Sequence, residues 1–205
     1  MTRLEELFDA LHHNPSEIKS HDDVICENAF DKRELSIGDI DYEVGTAIEM
    51  MIRFFNQCDD EANIPPEQRK PITLYIDSNG GDLDATFTMI DAIKMSRTPV
   101  YTVCTGAALS GGFFTFICGH KRFAYQHSSF MCHEGSTGYS GDANKYKNFS
   151  KYYDIQLDEL KSIVLENTKI SDEEYEEHKR DDWWLTAQQA YELGVVDEIA
   201  TKFIY

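Results

Sequence analysis

The 205-residue sequence is short of positive charge, of cysteine pairs and of long apolar runs, and each shortage excludes a class of protein. It holds 19 Lys and Arg against 37 Asp and Glu, a formal charge of −18. A polyanion of that strength repels phosphate backbones and anionic headgroups, so no nucleic-acid partner and no membrane partner is expected. No apolar stretch approaches the roughly 20 residues of a membrane span. The first residues, Met1-Thr-Arg-Leu-Glu-Glu-Leu7, lack the apolar stretch of a secretory signal. A cytoplasmic location is the expectation on both grounds. The cysteines (Cys26, Cys58, Cys104, Cys118 and Cys132) are odd in number and form no Cys-x-x-Cys pair. Neither a disulfide framework nor a zinc site is expected from them, and no metal site is expected elsewhere. Three of them sit in apolar stretches, as small buried hydrophobes do. There is no internal repeat and no phosphate-binding Gly-x-x-x-x-Gly-Lys loop, and no cofactor is expected in this chain.

What is present is a core. Hydrophobic residues make up 41% and aromatics 12%, enough for a packed core, and the length suits one domain or one domain plus a short appendage. Residues 2–13 have the spacing of an amphipathic helix ended by Asn14-Pro15, and the polar stretch from Ser16 to Asn28 reads as a linker. Leu35-Ser-Ile37 suits a strand, and Val44, Ile48, Met51, Ile52 and Phe55 repeat at helical spacing. A surface loop is expected from Asp59 to Lys70. Strands are expected at Ile72–Ile76, Val100–Cys104, Arg122–Tyr125, Ser129–His133 and Val195–Ile199, and helices at Leu83–Met95 and Ser110–Cys118, the latter after a turn at Gly106–Leu109. Tyr146, Phe149, Tyr153, Leu157, Leu160 and Val164 step by three or four, which predicts one long helix of about 30 Å. An acidic helix is expected from Ser171, and Thr186-x-x-Gln189 is a capping box. Strands alternating with helices imply an α/β core with parallel pairs.

Four places carry residues suited to chemistry. Ser110, in Gly106-Ala-Ala-Leu-Ser110-Gly-Gly112, lies among small residues at a strand-to-helix transition. Such neighbours let the backbone turn sharply and hold a hydroxyl clear, although the same pattern serves as a tight turn with a serine cap. Asp77-Ser-Asn-Gly-Gly81 follows an apolar strand; its glycine amides suit half an oxyanion hole, or an ordinary strand–helix turn. His133 ends an expected strand beside glycine-rich chain. Cys132 precedes it, but adjacent strand residues point to opposite faces, which argues against a Cys–His pair. Asp181-Asp182-Trp183-Trp184 sets two acids against two aromatics. That suits a water-shielded carboxylate orienting a histidine, or else a solvated loop with two buried tryptophans.

Taken in order, these motifs resemble the proteolytic subunit of Clp-type ATP-dependent proteases. The family's strand and Ser-Pro-Gly-Gly turn correspond to Leu74-Tyr-Ile-Asp-Ser-Asn-Gly-Gly81. Its Gly-x-Ala-x-Ser-x-Gly nucleophile motif is matched by Gly106, Ala108, Ser110 and Gly112. Further matches are Gly119-His-Lys-Arg-Phe-Ala124, Met131-Cys-His133, Asp182-Trp-Trp-Leu-Thr-Ala187 and Gly194-Val-Val-Asp197. The resemblance spans roughly residues 35–199. Asn79 replaces the family's usual proline, and Glu134-Gly135 replaces a Gln or Asn followed by Pro.

The resemblance implies a ClpP/crotonase-like spiral of βαβ units with a protruding handle helix. It divides the chain into an N-terminal helix and linker, 1–34, suited to axial or partner docking, and a peptidase domain, 35–205, with the handle at about 134–167. It implies a serine endopeptidase acting on unfolded polypeptide. Ser110 would be the nucleophile, His133 the base and Asp182 its orienting acid, with Asp181 as the competing choice. Gly81 and Gly111 would supply oxyanion amides. It also implies a homo-oligomer of two stacked heptameric rings enclosing a chamber fed by an AAA+ ATPase. Two alternatives stand beside it: a crotonase-like acyl-CoA enzyme, which needs no ordered Ser-His-Asp set, and a viral maturation protease of the same fold working without an ATPase.

Overall fold

Ile72, Leu74 and Ile76 are wholly buried on one face of their strand, and on the other Thr73 is buried and Tyr75 half-buried, so the strand is covered on both faces over its first half. That is the signature of a parallel sheet sandwiched by helices. The computed structural model describes residues 28–135, 137, 138 and 140–204. The expected helix over residues 2–13 and the linker from Ser16 as far as residue 27 lie outside the described residues. The strands β1 (Glu34–Ile37), β2 (Ile72–Ser78), β3 (Val100–Leu109), β4 (Lys121–Ala124) and β7 (Glu198–Ile199) form one parallel row in the order β1-β2-β3-β4-β7. β5 (Ser129–Cys132) pairs in parallel with the far end of β3, beyond β4. β6 (Trp183–Thr186) pairs antiparallel with β5.

The helices follow from caps and apolar spacing. α1 (Tyr42–Glu61) is capped by Asp41, whose side chain accepts from Val44 N, and buries Ile48, Ile52 and Phe55. α2 (Leu83–Met95) is capped by Asp82 onto Ala85 N. α3 (Gly111–Ile117) is buried along its whole length, and Phe116 packs on Phe130 of β5 with ring centroids 5.0 Å apart. α4 (Ala143–Asn167) is the long helix, capped by Asp142. Its second half buries Leu160, Ile163 and Val164, whereas Tyr146, Tyr152 and Ile155 in its first half are exposed. α5 (Asp172–His178) is capped by Ser171, and α6 (Ala187–Glu192) by the expected Thr186–Gln189 box.

Several boundaries differ from expectation for identifiable reasons. The loop expected from Asp59 starts later, because α1 continues to Glu61. Asp59 is 1% exposed, and its charge is met by the Arg33 fork at 2.6 and 2.8 Å and by the Thr98 hydroxyl at 2.7 Å. The turn expected at Gly106–Leu109 is strand: β3 runs to Leu109. The small residues there allow close packing rather than a bend, since a Cβ at Gly106 would lie 2.3 Å from Asp77 Oδ1, which accepts from Ala107 N. The closing strand is limited to Glu198–Ile199. β6 was not foreseen, because its sequence reads as an acidic loop. Trp183 is partly buried, stacked on His178 at 4.2 Å, but Trp184 is 56% exposed, so the tryptophans are not both core residues.

Candidate active site

Ser110 sits between β3 and α3 with φ +52° and ψ −121°, a left-handed-side conformation uncommon for a residue with a Cβ. The sheet holds it there: Ser110 N donates to Met131 O of β5 at 2.9 Å, while its own carbonyl accepts from Phe113 N and Phe114 N at the start of α3. The sharp turn projects the hydroxyl away from both elements, as at a nucleophile elbow.

His133 is the first residue beyond β5. Its Nε2 lies 2.8 Å from Ser110 Oγ, and its Nδ1 lies 3.0 Å from Asp182 Oδ1. One tautomer satisfies both contacts, with Nδ1–H donating to the carboxylate and Nε2 accepting from the hydroxyl. The antiparallel register explains why residues so distant in sequence meet. Cys132 pairs with Trp183, so the next residues outward on the two strands are His133 and Asp182. Asp181 is not brought to the imidazole; its amide donates to His178 O in the preceding turn. The Asp182 side chain is 61% exposed, so the water-shielded carboxylate considered from sequence is not what the fold provides.

Gly81 and Gly111 are also brought together. The position a Cβ would take on Gly111 lies 3.6 Å from Gly81 N. Gly111 opens α3, and an amide in the first helical turn has no partner within its helix. Around Gly81 the backbone bonds run through its neighbours, Ile40 N to Gly80 O and Asp82 N to Ile40 O, both 2.8 Å. This clamp by the segment before α1 was not read from sequence; Asp39 adds to it by accepting from Asn79 N and Nδ2 at 3.3 and 3.2 Å. Gly81 has φ +149°, and a Cβ there would lie 1.9 Å from Ile40 O, so no other residue fits the turn.

Ser110, His133, Gly81 and Gly111 open on a cleft of about 410 Å³, walled by the first turn of α2 on one side and by Phe149, Tyr153 and Leu160 of α4 on the other. Tyr153 donates its hydroxyl to Glu134 O at 3.1 Å, tying α4 to the segment just after His133. Sequence periodicity marks Tyr153 only as part of an apolar face; nothing in it signals this tether. Cys132 is not a competing nucleophile. It is 3% exposed, and burial pushes its thiol up to about 12, as it does for Cys104 and Cys118. Among the described residues no His, Cys, Asp and Glu group is arranged to hold a metal ion, and no helix is long and apolar enough to cross a membrane.

The fold is a mixed α/β one with a mainly parallel sheet and a serine at a strand–helix elbow, and comparison with known sequences assigns its family. A profile described as Clp protease matches residues 63–203, and the chain belongs to that peptidase family. Over 135 residues it is 30% identical to the ATP-dependent Clp protease proteolytic subunit 2 of Treponema pallidum (strain Nichols), covering 65% of this chain and 68% of the relative. Over 182 residues it is 26% identical to the protein of the same description from Treponema denticola (strain ATCC 35405), covering 87% of each. These matches favour the peptidase over the acyl-CoA and viral-maturation alternatives.

Proposed function

We propose that this chain is a serine endopeptidase subunit that hydrolyses unfolded polypeptide through Ser110, His133 and Asp182. The observation that carries the reading is the unbroken hydrogen-bonded sequence from carboxylate to imidazole to hydroxyl at the mouth of the cleft. Ser110 Oγ forms a bond to the scissile carbonyl carbon while His133 Nε2 takes the hydroxyl proton. His133 returns that proton to the departing amine as the C–N bond breaks. Water then repeats the sequence on the acyl-enzyme and frees Ser110. Asp182 holds the imidazole tautomer and stabilises the imidazolium. The amides of Gly81 and Gly111 donate to the oxyanion, and one such donor is worth roughly 3–4 kcal/mol.

The relatives' description as ATP-dependent, together with the absence of a nucleotide-binding loop in this sequence, supports a partner ATPase that delivers substrate. The exposed aromatic and aliphatic residues on the first half of α4 support self-association through the handle into the stacked heptameric rings implied by the family. Residues 1–34 then form the appendage of a catalytic domain 35–205. The test is covalent labelling by a fluorophosphonate probe. Modification at Ser110, lost in Ser110→Ala, is the expected result; labelling at another serine, or none, refutes the assignment.

A further inference from the structure

Among the described residues the charged side chains lining the cleft beside the α2 wall are acidic, Asp82, Asp84 and Glu134, while Lys179 and Arg180 line the adjoining pocket on the other side of His133 and Glu134. The three acids are not equivalent. Asp82 is occupied as the cap of α2, accepting from Ala85 N at 2.8 Å. Glu134 faces Lys179 at 3.8 Å. Asp84 has no cation within ion-pair distance among the described residues; its side chain accepts only from Gln156 Nε2, at 3.3 Å. Gln156 is itself 7% exposed, so a buried polar side chain from α4 reaches across the cleft and fixes this carboxylate on the opposite wall. Next to the pair the lining is Phe114, Leu160 and the rings of Tyr152 and Tyr153. A cleft of mixed polar and apolar lining that holds an exposed carboxylate without a cationic partner suits a side chain with a long aliphatic stem and a cationic head.

We propose that Asp84 is a specificity-determining residue that makes the cleft select lysine or arginine on the residue supplying the scissile carbonyl. This rests on the peptidase reading of Ser110. The carbonyl sits on the amides of Gly81 and Gly111, and the side chain carried by that same residue is the one directed into the cleft beside them. The stem lies along Phe114 and Leu160, and the head meets Asp84. A glutamate in that place meets the Asp84 carboxylate and is disfavoured. Partly exposed ion pairs are worth up to about fivefold in binding, and they weaken with salt.

The experiment uses peptidyl diphenyl phosphonates identical except for lysine, norleucine or glutamate at the acyl-side residue, with the full-length chain. Norleucine keeps the stem of lysine and removes only the charge. The expected rate order is lysine over norleucine by about fivefold, then glutamate, with the first ratio shrinking at high salt. Asp84→Asn brings that ratio close to one, and Asp84→Lys inverts the order of lysine and glutamate. Asp91→Asn, on the same helix but outside the cleft, keeps the wild-type ratio. A fluorophosphonate run in parallel separates the two readings. If it labels Ser110 while lysine shows no advantage, or while Asp84→Asn keeps the advantage, selection by Asp84 is wrong and the peptidase reading stands. If Ser110 is not labelled, both fall.

Discussion

Ser110 holds a positive φ because three backbone contacts, to Met131, Phe113 and Phe114, fix it between a strand and a helix. Strain of this kind persists only where its surroundings over-determine it. Removing the hydroxyl leaves that scaffold intact, so Ser110→Ala is expected to lower peptide hydrolysis by about four to six orders of magnitude with no loss of thermal stability. A steady-state assay beside a melting curve checks both halves. The choice between the adjacent acids is equally sharp. Asp182→Asn, at the carboxylate 3.0 Å from His133 Nδ1, is expected to leave the imidazole in the wrong tautomer and to cost about 10⁴-fold in kcat, whereas Asp181→Asn, at a residue whose amide bonds His178 O in the preceding turn, is expected to leave kcat nearly unchanged. Ser110, His133 and the glycine turn were each ambiguous alone and became candidates through the order of the motifs, because a short pattern serves a turn as well as a site. Asp182 was preferred to Asp181 on the motif around Trp183 and Thr186, and the pairing of β5 with β6 brings Asp182 to His133.

Among the elements, β6 decides where the carboxylate lies. Leu185 pairs with Phe130 across β5 and is 4% exposed. Leu185→Ala is expected to cost about 2–5 kcal/mol and to lower kcat as well, because the strand that carries Asp182 loosens. Measuring stability and kcat on the same variant tests that coupling. A second element-scale link joins the turn before β1 to the end of α1. Arg33 forms a bidentate pair with Asp59 and lies over the Phe55 ring at 5.0 Å. The Arg33 hydrogen bonds, helped by Thr98 and opposed by burial, hold the Asp59 carboxyl below its ordinary value. Its folded pKa is therefore below the unfolded one of about 3.9. The contribution to stability is fully present above that unfolded value and is lost as pH falls through the folded value. Asp59→Asn is expected to be less stable near neutrality, and its stability is expected to vary less with pH in the acid range than that of the wild type. Urea titrations at a series of acid pH values check the slope. α1 was visible from its periodicity, but its last turn was not, because a buried, paired aspartate looks in sequence like a solvated one.

For the molecule as a whole, the two halves of α4 have different surroundings. The second half is packed on the core, and the first exposes Tyr146, Tyr152 and Ile155. Sedimentation velocity is expected to show species many times the mass of one chain. Replacing those three residues by serine or glutamate is expected to shift the distribution toward smaller species while leaving the sheet folded. A chain that sediments only as monomer over a wide concentration range would contradict the chamber. Short peptides are expected to be cleaved without nucleotide, and folded proteins only when an ATPase partner is supplied.

The sequence by itself determined the alternation of strands and helices, the capping box at Thr186 and Gln189, and the small-residue motifs around Gly81 and Ser110. These depend on neighbours within a few residues, and chain stereochemistry acts at that range. Only the tertiary structure decided that β3 continues past Gly106, that β6 exists, that Asp182 faces His133, and that Gln156 bonds Asp84 across the cleft. Each is a contact between segments far apart in the chain. Its energy comes from pairing and burial, which no local pattern records.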